Sequence, residues 1–397
     1  MDEVLVKCEK LDHFGRGLSH VLGKIIFVPN LLPNEEALVK IVLDKKKYMV
    51  GEIIKLVKKS DDRIIPKCSY ENCGCAIKGL NYPRTLEFKK NKVMEILKRY
   101  GNLENVVKEI IPSDNIYGYR NKITLKVKGG KIGYFKNGSN ELIEINRCEI
   151  ASEKSNKIIE ILKDCDLSKV REVIIKDFGE VMIIIKGDMD IDVFKPLVTS
   201  IYMNDKLVYG NENIIAELGD FKFYVSKDSF FQVNTNVAFK LYNKVLEYLD
   251  NSSGKSVLDL YSGTGTISLF LSKHFKEVTA IEINEEAVRC AFLNKELNNI
   301  SNVRFICGDV SKEIHDLKAD NIVVDPPRSG LSIDGINDIL KINPERLVYV
   351  SCDPMTLARD LKLFGQNYEV KEVTLFDMFP WTYHVESVCV LVRKKIN

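Results

Sequence analysis

The stretch VLDLYSGTGTISLFL, residues 257–271, combines an apolar strand, a glycine-rich turn and the start of a helix. Gly263 and Gly265 allow the backbone of this turn to approach a ligand closely, and Asp259 closes the strand beneath it. Further apolar strands recur at βαβ intervals, and the last two follow each other without a long helix between them. The sequence therefore predicts a Rossmann-like α/β fold, a doubly wound and mostly parallel sheet with an antiparallel hairpin at its edge.

Acidic residues end the next strands of this predicted sheet. They are Glu282, Asp309 and Asp325. Because the carboxyl ends of parallel strands meet in the crevice where doubly wound sheets bind ligands, we expect these acids and Asp259 to line one site. A glycine turn alone is compatible with a dinucleotide, but an acidic crevice favours a cationic cofactor over a pyrophosphate. We therefore expect S-adenosylmethionine, with Glu282 placed to accept hydrogen bonds from the ribose hydroxyls.

Cys352 lies at the end of the apolar strand 346–352, beside the predicted crevice. A cysteine there is usually an inert core residue. A thiolate, however, can add to C6 of a pyrimidine and make C5 nucleophilic enough to accept a methyl group. A base must then remove the C5 proton, and Glu386, an acid within the apolar run 384–391, is the candidate. Alone, Glu386 would be interpreted as a solvent-exposed acid on an edge strand; together with Cys352 it favours catalysis.

The first hundred residues differ in character from the rest. Residues 1–58 contain short β-branched strands separated by turns, which is typical of a small barrel such as the OB type that binds oligonucleotides. Residues 1–100 carry 20 Lys and Arg against 13 Asp and Glu, a balance of +7, which indicates a polyanionic partner. Strands and helices alternate from 59 to 228, with a helix predicted over 84–100.

Composition narrows the class of protein. Hydrophobic residues make up 45% of the chain and charged residues 29%, as in a soluble enzyme. No apolar run approaches the roughly 18 residues of a membrane span, and the first residues lack the pattern of a signal peptide. We therefore expect a cytoplasmic protein without a membrane partner, whose ten cysteines serve metal or catalytic roles rather than disulfides.

Five motifs in the C-terminal half resemble those of one known family. They are SFFQVN (229–234), DLYSGTG (259–265), DPPRSGL (325–331), SCDP (351–354) and HVES (384–387). Together they resemble the S-adenosylmethionine-dependent RNA uridine-5-methyltransferases of rRNA and tRNA. The front, with GRGLSH (15–20) and GKIIFVPNLLPNEE (23–36), is similar to the TRAM domain of that family, an OB-type RNA-binding barrel.

The resemblance implies three domains. Residues 1–58 would be the TRAM-like barrel and residues 229–397 a class I methyltransferase domain. Residues 59–228 would hold a cysteine-rich loop and a central α+β RNA-binding domain, with the helix 84–100 a candidate for packing on the catalytic domain.

The resemblance also implies roles for individual residues. Cys352 would be the nucleophile and Glu386 the base. Phe230 would stack on the flipped uracil, Asn234 would steady the catalytic loop or the base, and Arg120 would contact an RNA phosphate unless it forms a surface ion pair. The cofactor contacts expected from the motifs and from the strand ends are Gln232, Tyr261, Gly263, Glu282, Asp309 and Asp325.

A group of cysteines matches a feature of some family members. Those members hold a [4Fe–4S] cluster with three cysteines in a close loop and a fourth further on, as Cys68, Cys73, Cys75 and Cys148 are placed here. Each gap in the close group is one residue shorter than in the family pattern. The resemblance therefore implies a cluster, with zinc or an empty site as alternatives. The cysteines at 8, 165, 290, 307 and 389 are expected to have no chemical role.

Several functions fit parts of this pattern. Ribosomal RNA, most simply 23S rRNA, is preferred over tRNA because the TRAM-like domain and the cysteine group accompany the ribosomal branch. An enzyme that methylates an exocyclic amine would leave Cys352 idle, and a 5-methylcytidine enzyme would carry a Pro-Cys motif that is missing here. A non-catalytic RNA-binding or assembly factor is the alternative outside the enzymes. We expect a monomer.

Overall fold

The structure is a computed structural model that describes residues 3–250 and 254–395. Its N-terminal sheet has six strands in the order β1-β5-β6-β4-β3-β2 and curls into a half-barrel consistent with the predicted OB-type fold. Apolar residues that alternate along these strands face a small core around Val6, Ile26 and Val39. The strands are β1 (Glu3–Lys7), β2 (Lys10–Leu11), β3 (Gly17–Val21), β4 (Lys24–Val28), β5 (Glu36–Asp44) and β6 (Tyr48–Lys58).

Helix α1 (Tyr82–Gly101) and strand β7 (Val107–Ile111) follow a loop that contains three of the grouped cysteines. The helix begins where the Asn81 side chain accepts a hydrogen bond from the backbone of Arg84, and it ends at Asn102, whose φ of 56° is left-handed.

The central sheet has seven strands in the order β10-β9-β8-β11-β12-β13-β14. Helix α2 (Glu153–Lys163) packs on it over a core that includes Ile159, Val173 and Ile183. A short 3₁₀ helix, Asp192–Leu197, precedes its last two strands. The strands are β8 (Lys122–Lys128), β9 (Lys131–Phe135), β10 (Leu142–Glu144), β11 (Val170–Asp177), β12 (Val181–Gly187), β13 (Ser200–Met203) and β14 (Lys206–Gly210).

A hairpin of β15 (Ile214–Leu218) and β16 (Phe221–Val225) leads into the catalytic sheet, which has eight strands in the order β19-β18-β17-β20-β21-β23-β22-β7. Its other strands are β17 (Ser256–Leu260), β18 (Glu277–Glu282), β19 (Val303–Cys307), β20 (Asn321–Val324), β21 (Arg346–Ser351), β22 (Tyr368–Phe376) and β23 (Glu386–Arg393). The helices between them are α3 (Thr235–Tyr248), α4 (Thr266–Ser272), α5 (Glu285–Leu297), α6 (Val310–Glu313), α7 (Ile333–Ile342) and α8 (Pro354–Phe364).

Strands β17 to β21 pair with one another in parallel, which confirms the predicted Rossmann-like, doubly wound fold. The predicted antiparallel hairpin of β22 and β23 also forms. The prediction that this hairpin is the edge of the sheet is wrong. Strand β23 pairs with β21, and β7 pairs with the outer side of β22. Residues 373–376 of β22 are thereby paired on their outer side as well, so this part of the strand is not an exposed edge.

Helix α1 and β7 precede the central sheet in the chain but pack with the catalytic domain. Val93, Ile96 and Leu97 of α1 lie in the same core cluster as Leu258 and Ile322 of the catalytic sheet. This core covers one face of the sheet, and a second covers the other. Within the described residues, the structure contains no helix long and apolar enough to cross a membrane.

Candidate active site

The glycine-rich turn between β17 and α4 has a backbone that suits a ligand. Gly263 adopts a φ of 54°, has open space where a Cβ would be, and donates its N–H to Glu282 Oε2 at 2.9 Å. Gly265 has a φ of 79°, and a Cβ there would lie 2.8 Å from the Phe305 ring. Tyr261 also has a positive φ, 65°, in the same turn. The turn therefore requires these glycines and holds the Glu282 carboxylate at the end of β18.

The four predicted acids lie at the carboxyl ends of neighbouring strands but differ in environment. Asp259 and Asp325 are deep in the crevice, and burial raises the pKa of each to about 7. Glu282 is half-buried, and its Oε1 accepts a hydrogen bond from the backbone of Asn284 at 2.8 Å. Asp309 caps helix α6, and hydrogen bonds from Ser311 hold its pKa below the usual range.

Cys352 and Glu386 face each other across two antiparallel strands. Ser351, the last residue of β21, pairs with Ser387 of β23, so the next position along the register brings Cys352 opposite Glu386. Cys352 occupies the elbow between β21 and α8, where the Asp353 side chain accepts hydrogen bonds from the first turn of the helix. The crevice thus contains both predicted catalytic residues.

Burial suppresses ionisation of both groups. Glu386 is 7% exposed, and burial, reinforced by the nearby Asp325 carboxylate, raises its pKa to about 8. Burial and the Glu386 charge raise the pKa of the Cys352 thiol to about 11. Arg328 opposes both shifts, since its nearby guanidinium favours the two anions.

Arg328 was not selected from the sequence, although it lies within DPPRSGL. The available signal was its position, three residues after the strand-end acid Asp325. Its Nη2 lies 3.5 Å from Nδ1 of His384. Burial and nearby cations, Arg328 foremost among them, lower the pKa of His384 to about 4, so Arg328 faces a neutral ring.

Residues 229–234 form the wall of the crevice before α3. Phe230 is 69% exposed, which leaves its ring free to contact a ligand. The Gln232 side chain hydrogen-bonds Tyr242, and its carbonyl accepts from Asn121 Nδ2 at 3.1 Å. Asn234 is buried and caps α3.

Helix α1 holds the segment 377–383, which leads into β23 and Glu386. Lys89 is fully buried, pairs with Asp377 and donates to the carbonyl of Phe379 at 2.9 Å. Lys92 donates to the carbonyl of Tyr383 at 2.7 Å. The Tyr82 hydroxyl donates to Asp377 Oδ2 at 2.8 Å. In the sequence, Lys89 and Lys92 are polar residues between the apolar positions of the helix, and no local signal predicts that they are buried.

The other side of this segment contacts Asn234. Its Nδ2 donates to Ser113 Oγ at 3.0 Å and to the carbonyl of Met378 at 3.4 Å. The segment is therefore held from two sides, by α1 and by the start of α3.

The grouped cysteines lie in a different place. Cys68, Cys73, Cys75 and Cys148 line one cavity of about 360 Å³, together with Arg120, Trp381 and His384. A hydrogen bond with Cys73 lowers the pKa of Cys68 to about 6. Among residues 3–250 and 254–395, however, no three His, Cys, Asp or Glu side chains form a group that could hold a metal ion. The predicted iron–sulfur cluster is thus not supported by the arrangement of the thiols.

Arg120, predicted to contact RNA phosphate, lines this cavity and donates through Nε to the carbonyl of Lys122 at 3.0 Å. Its position is half-buried beside the thiols.

Comparison with known proteins matches this arrangement to a family. The family model described as tRNA (Uracil-5-)-methyltransferase matches residues 199–313 and 309–395. A protein of Halalkalibacterium halodurans, named an uncharacterized RNA methyltransferase, is 35% identical over 99% of this chain and 97% of its own. The chain belongs to the S-adenosylmethionine-dependent RNA (uracil-5-)-methyltransferase family. A second relative, from Clostridium tetani, is also named an uncharacterized RNA methyltransferase. It is 36% identical to this RNA (uracil-5-)-methyltransferase over 95% of this chain and 93% of its own.

A solved structure extends the likeness of this RNA (uracil-5-)-methyltransferase to nearly its whole length. The tRNA (uracil-54, C5)-methyltransferase of Pyrococcus abyssi, in complex with S-adenosyl-L-homocysteine, superposes with a TM-score of 0.83. It is 30% identical, and the match covers 98% of this chain and 99% of that one. The predictions of an enzyme, of RNA as its substrate and of S-adenosylmethionine as its methyl donor are confirmed.

Proposed function

We propose that Cys352 adds to C6 of a uridine in RNA and that Glu386 removes the C5 proton after methyl transfer. The observation that supports this most directly is the register of β21 and β23, which brings the two residues opposite each other beside the strand-end acids. Arg328, near the thiol, supplies a cation that favours the thiolate.

The reaction conserves atoms and charge in three steps. The Cys352 thiolate forms a bond to C6, and the electron pair of the C5–C6 double bond moves into the ring carbonyl as an enolate. C5 then attacks the methyl carbon, whose bond to the sulfonium sulfur breaks and leaves a neutral thioether. Glu386 takes the C5 proton, the C6–S bond breaks, and the thiolate leaves. The net products are 5-methyluridine, S-adenosylhomocysteine and one proton.

The charges in the crevice are compatible with these three reaction steps. In the free enzyme the raised pKa values keep Glu386 and the thiol largely protonated near neutral pH. A cationic methyl donor in the crevice would favour the ionised forms of Asp325 and Glu386. Gln232, Tyr261, Gly263, Glu282, Asp309 and Asp325 are the residues proposed to bind it.

On the RNA side, we propose that Phe230 stacks on the flipped uracil, because its ring is exposed at the crevice wall. Asn234 would act by positioning the segment 377–383 through its hydrogen bond to Met378. Arg120 remains a proposed RNA contact. The N-terminal half-barrel would be a TRAM-like RNA-binding domain. The enzyme would act as a monomer in the cytoplasm.

We propose 23S rRNA as the substrate. The N-terminal half-barrel and the four-cysteine cavity support this choice, since both accompany the ribosomal branch of the family resemblance. The likeness to the Pyrococcus abyssi enzyme, whose name specifies uracil 54 of tRNA, favours tRNA as the second candidate.

The test uses S-adenosylmethionine and cellular RNA that contains 5-fluorouridine. Fluorine replaces the proton that Glu386 must remove, so the covalent protein–RNA intermediate should persist. Mass spectrometry should find the adduct on the peptide that contains Cys352, and sequencing of the attached RNA would identify rRNA or tRNA. Cys165→Ala, which removes a half-buried cysteine of the central domain just after α2, is the control and should form the same adduct.

An absence of adduct combined with methylation of natural RNA would show that the thiol is not the nucleophile. An absence of any methylated product on any RNA would favour a non-catalytic RNA-binding protein.

We also propose that Cys68, Cys73, Cys75 and Cys148 hold a [4Fe–4S] cluster; the support is the order of these cysteines in the family resemblance, since the thiols line one cavity without forming a metal-binding group as placed. A single zinc ion would need all four sulfurs about 2.3 Å away at once, whereas a cluster binds each thiolate at a separate iron. Anaerobically purified protein should contain iron and acid-labile sulfide, and Cys148→Ala should lose both. Cys165→Ala is the matched control, and a wild-type protein without iron and sulfide would exclude the cluster.

A further inference from the structure

An exposed aromatic ring of the N-terminal domain contacts the segment 377–383, which leads to Glu386 and is called the catalytic segment below. Phe14, in the turn between β2 and β3, lies with its ring centroid 5.5 Å from that of Tyr383 in an edge-to-face arrangement. Phe14 is nevertheless 55% exposed. The turn that carries it is rigid, because Asp12 Oδ1 accepts hydrogen bonds from the backbone of Phe14 at 2.9 Å and of Arg16 at 2.8 Å.

This contact is part of a longer series of neighbouring aromatic and arginine side chains. The Arg16 guanidinium lies 5.5 Å from the Phe14 ring and 4.3 Å from the Phe27 ring. The Phe27 ring in turn lies 6.0 Å from that of Tyr48 on β6. The series therefore extends from the start of β6, across the face of the half-barrel, to the turn that touches the catalytic segment.

At its other end the series reaches the catalytic crevice. The Tyr383 ring lies 4.2 Å from the ring of His384, and His384 contacts Arg328. Lys92 contacts Tyr383 twice: its Nζ donates to the Tyr383 carbonyl and lies 5.3 Å from the centre of the Tyr383 ring. We call the series the aromatic track; it consists of Tyr48, Phe27, Arg16, Phe14, Tyr383 and His384.

We propose that the aromatic track is a stacking surface for unpaired nucleotides that flank the target uridine. This inference rests on the proposed function, which places the target base at Cys352. Aromatic faces and arginine planes stack with any base, so such a surface binds single-stranded RNA without reading its sequence. The net positive charge of residues 1–100 supports a phosphate backbone along the same surface.

The alternative to RNA stacking is that the track only joins the half-barrel to the catalytic domain as a structural contact. The two differ in what Phe14 would contribute. A stacking residue adds to RNA affinity and leaves the chemical step unchanged once RNA is bound. A structural contact that positions the segment before Glu386 would change the rate of the chemical step.

The experiment uses an oligoribonucleotide with one 5-fluorouridine flanked by 2-aminopurine, a base whose fluorescence is quenched when it stacks. Phe14→Leu should bind this RNA about 10-fold more weakly and lose the quenching. The slope of log affinity against log salt should stay the same, because no charge is removed. Phe14→Tyr should restore both affinity and quenching.

Tyr100→Leu is the matched control. Tyr100 is also an exposed aromatic, 40% accessible, with the Arg99 guanidinium 5.4 Å from its ring, but it lies at the far end of α1. Affinity and quenching should equal those of the wild type, and thermal unfolding should show that all three variants fold.

Wild-type affinity and quenching in Phe14→Leu would overturn the proposal, and so would a slower methyl-transfer step at unchanged affinity. If the wild type shows quenching that depends on Phe14 but no adduct at Cys352, the track stands and the proposed function fails.

Discussion

The catalytic crevice and the cysteine cavity lie on two sides of the same segment of chain. Trp381, Thr382 and His384 line the cavity, whereas Glu386, two residues further on, faces Cys352 in the crevice. The crevice is built where neighbouring strands end, so strand pairing sets the positions of its strand-end acids and of Glu386. Three of the four cavity thiols come from the loop before α1, where no strand register places side chains. Residue spacing is therefore a stronger predictor of geometry on strands than in a loop.

The two regions also differ in the charge that their ionisable groups favour. In the crevice, burial raises the pKa values of Asp259, Asp325 and Glu386 and thus favours uncharged acids in the absence of a cation. In the cavity, the hydrogen bond with Cys73 lowers the pKa of Cys68 to about 6 and favours a thiolate there, whereas the other three thiols have raised pKa values. The crevice acids therefore suit a cationic ligand, whereas only one of the four cavity thiols favours the thiolate form.

The largest expected difference between the two regions concerns the chemical step. Cys352→Ala should reduce single-turnover methyl transfer by about 10⁴-fold or more, because the adduct cannot form. Cys148→Ala should retain the chemical step on bound RNA to within a few-fold, because the cavity supplies no reacting atom. Rates are measured with labelled S-adenosylmethionine at saturating RNA. Equal losses in both variants would show that the cavity takes part in the chemistry.

Glu386→Gln should slow product release by about 10²- to 10⁴-fold. Methyl transfer can still occur, so a covalent complex with natural RNA should accumulate and appear as a denaturant-stable band. The wild-type rate of adduct breakdown should rise with pH toward a plateau above about 8, because this step needs only the base to be deprotonated and its pKa is raised to about 8. A Gln variant that turns over with the wild-type pH profile would assign the proton to another group.

Lys89→Met tests the segment that separates the two regions. It leaves Asp377 buried without its cation and should lower the free energy of unfolding by about 3–5 kcal/mol, measured by urea denaturation. Adding Asp377→Leu should recover most of the loss, because the pair is then removed as a whole. Lys98→Met, at an exposed position on the same helix, should change stability by less than about 0.5 kcal/mol. A loss of similar size in Lys98→Met would show that helix packing, and not the buried pair, is responsible.

The smallest expected effect sharpens the difference in charge. S-adenosylmethionine and S-adenosylhomocysteine differ at the sulfur by one methyl group and one positive charge. As pH rises from about 6 to 8.5, the buried acids ionise, and the affinity ratio should shift toward the charged donor by about 10-fold. Titration calorimetry at several pH values measures both affinities. A ratio that does not change with pH would place the sulfonium away from Asp259 and Asp325.

Much of the crevice could be predicted because its features are local. The apolar strands, the turn of Gly263 and Gly265 and the acids that follow each strand are visible within short stretches of chain. Cys352 and Glu386 could be paired because both adjoin strands of one predicted sheet. Arg328 was missed although it lies within a quoted motif, since its position near the Cys352 thiol depends on how the loop after β20 folds back.

The sequence by itself thus determined the class of fold, the family and the strand-end residues, because hydrophobic periodicity and glycine turns act over a few residues. Tertiary structure decided that β23 lies inside the sheet, that β7 closes its edge, and that Lys89 is buried. Asp377, which accepts the charge of Lys89, is 288 residues away in the chain. A lysine on a helix looks solvated until its distant partner is known, because an isolated buried cation would be too costly to exist.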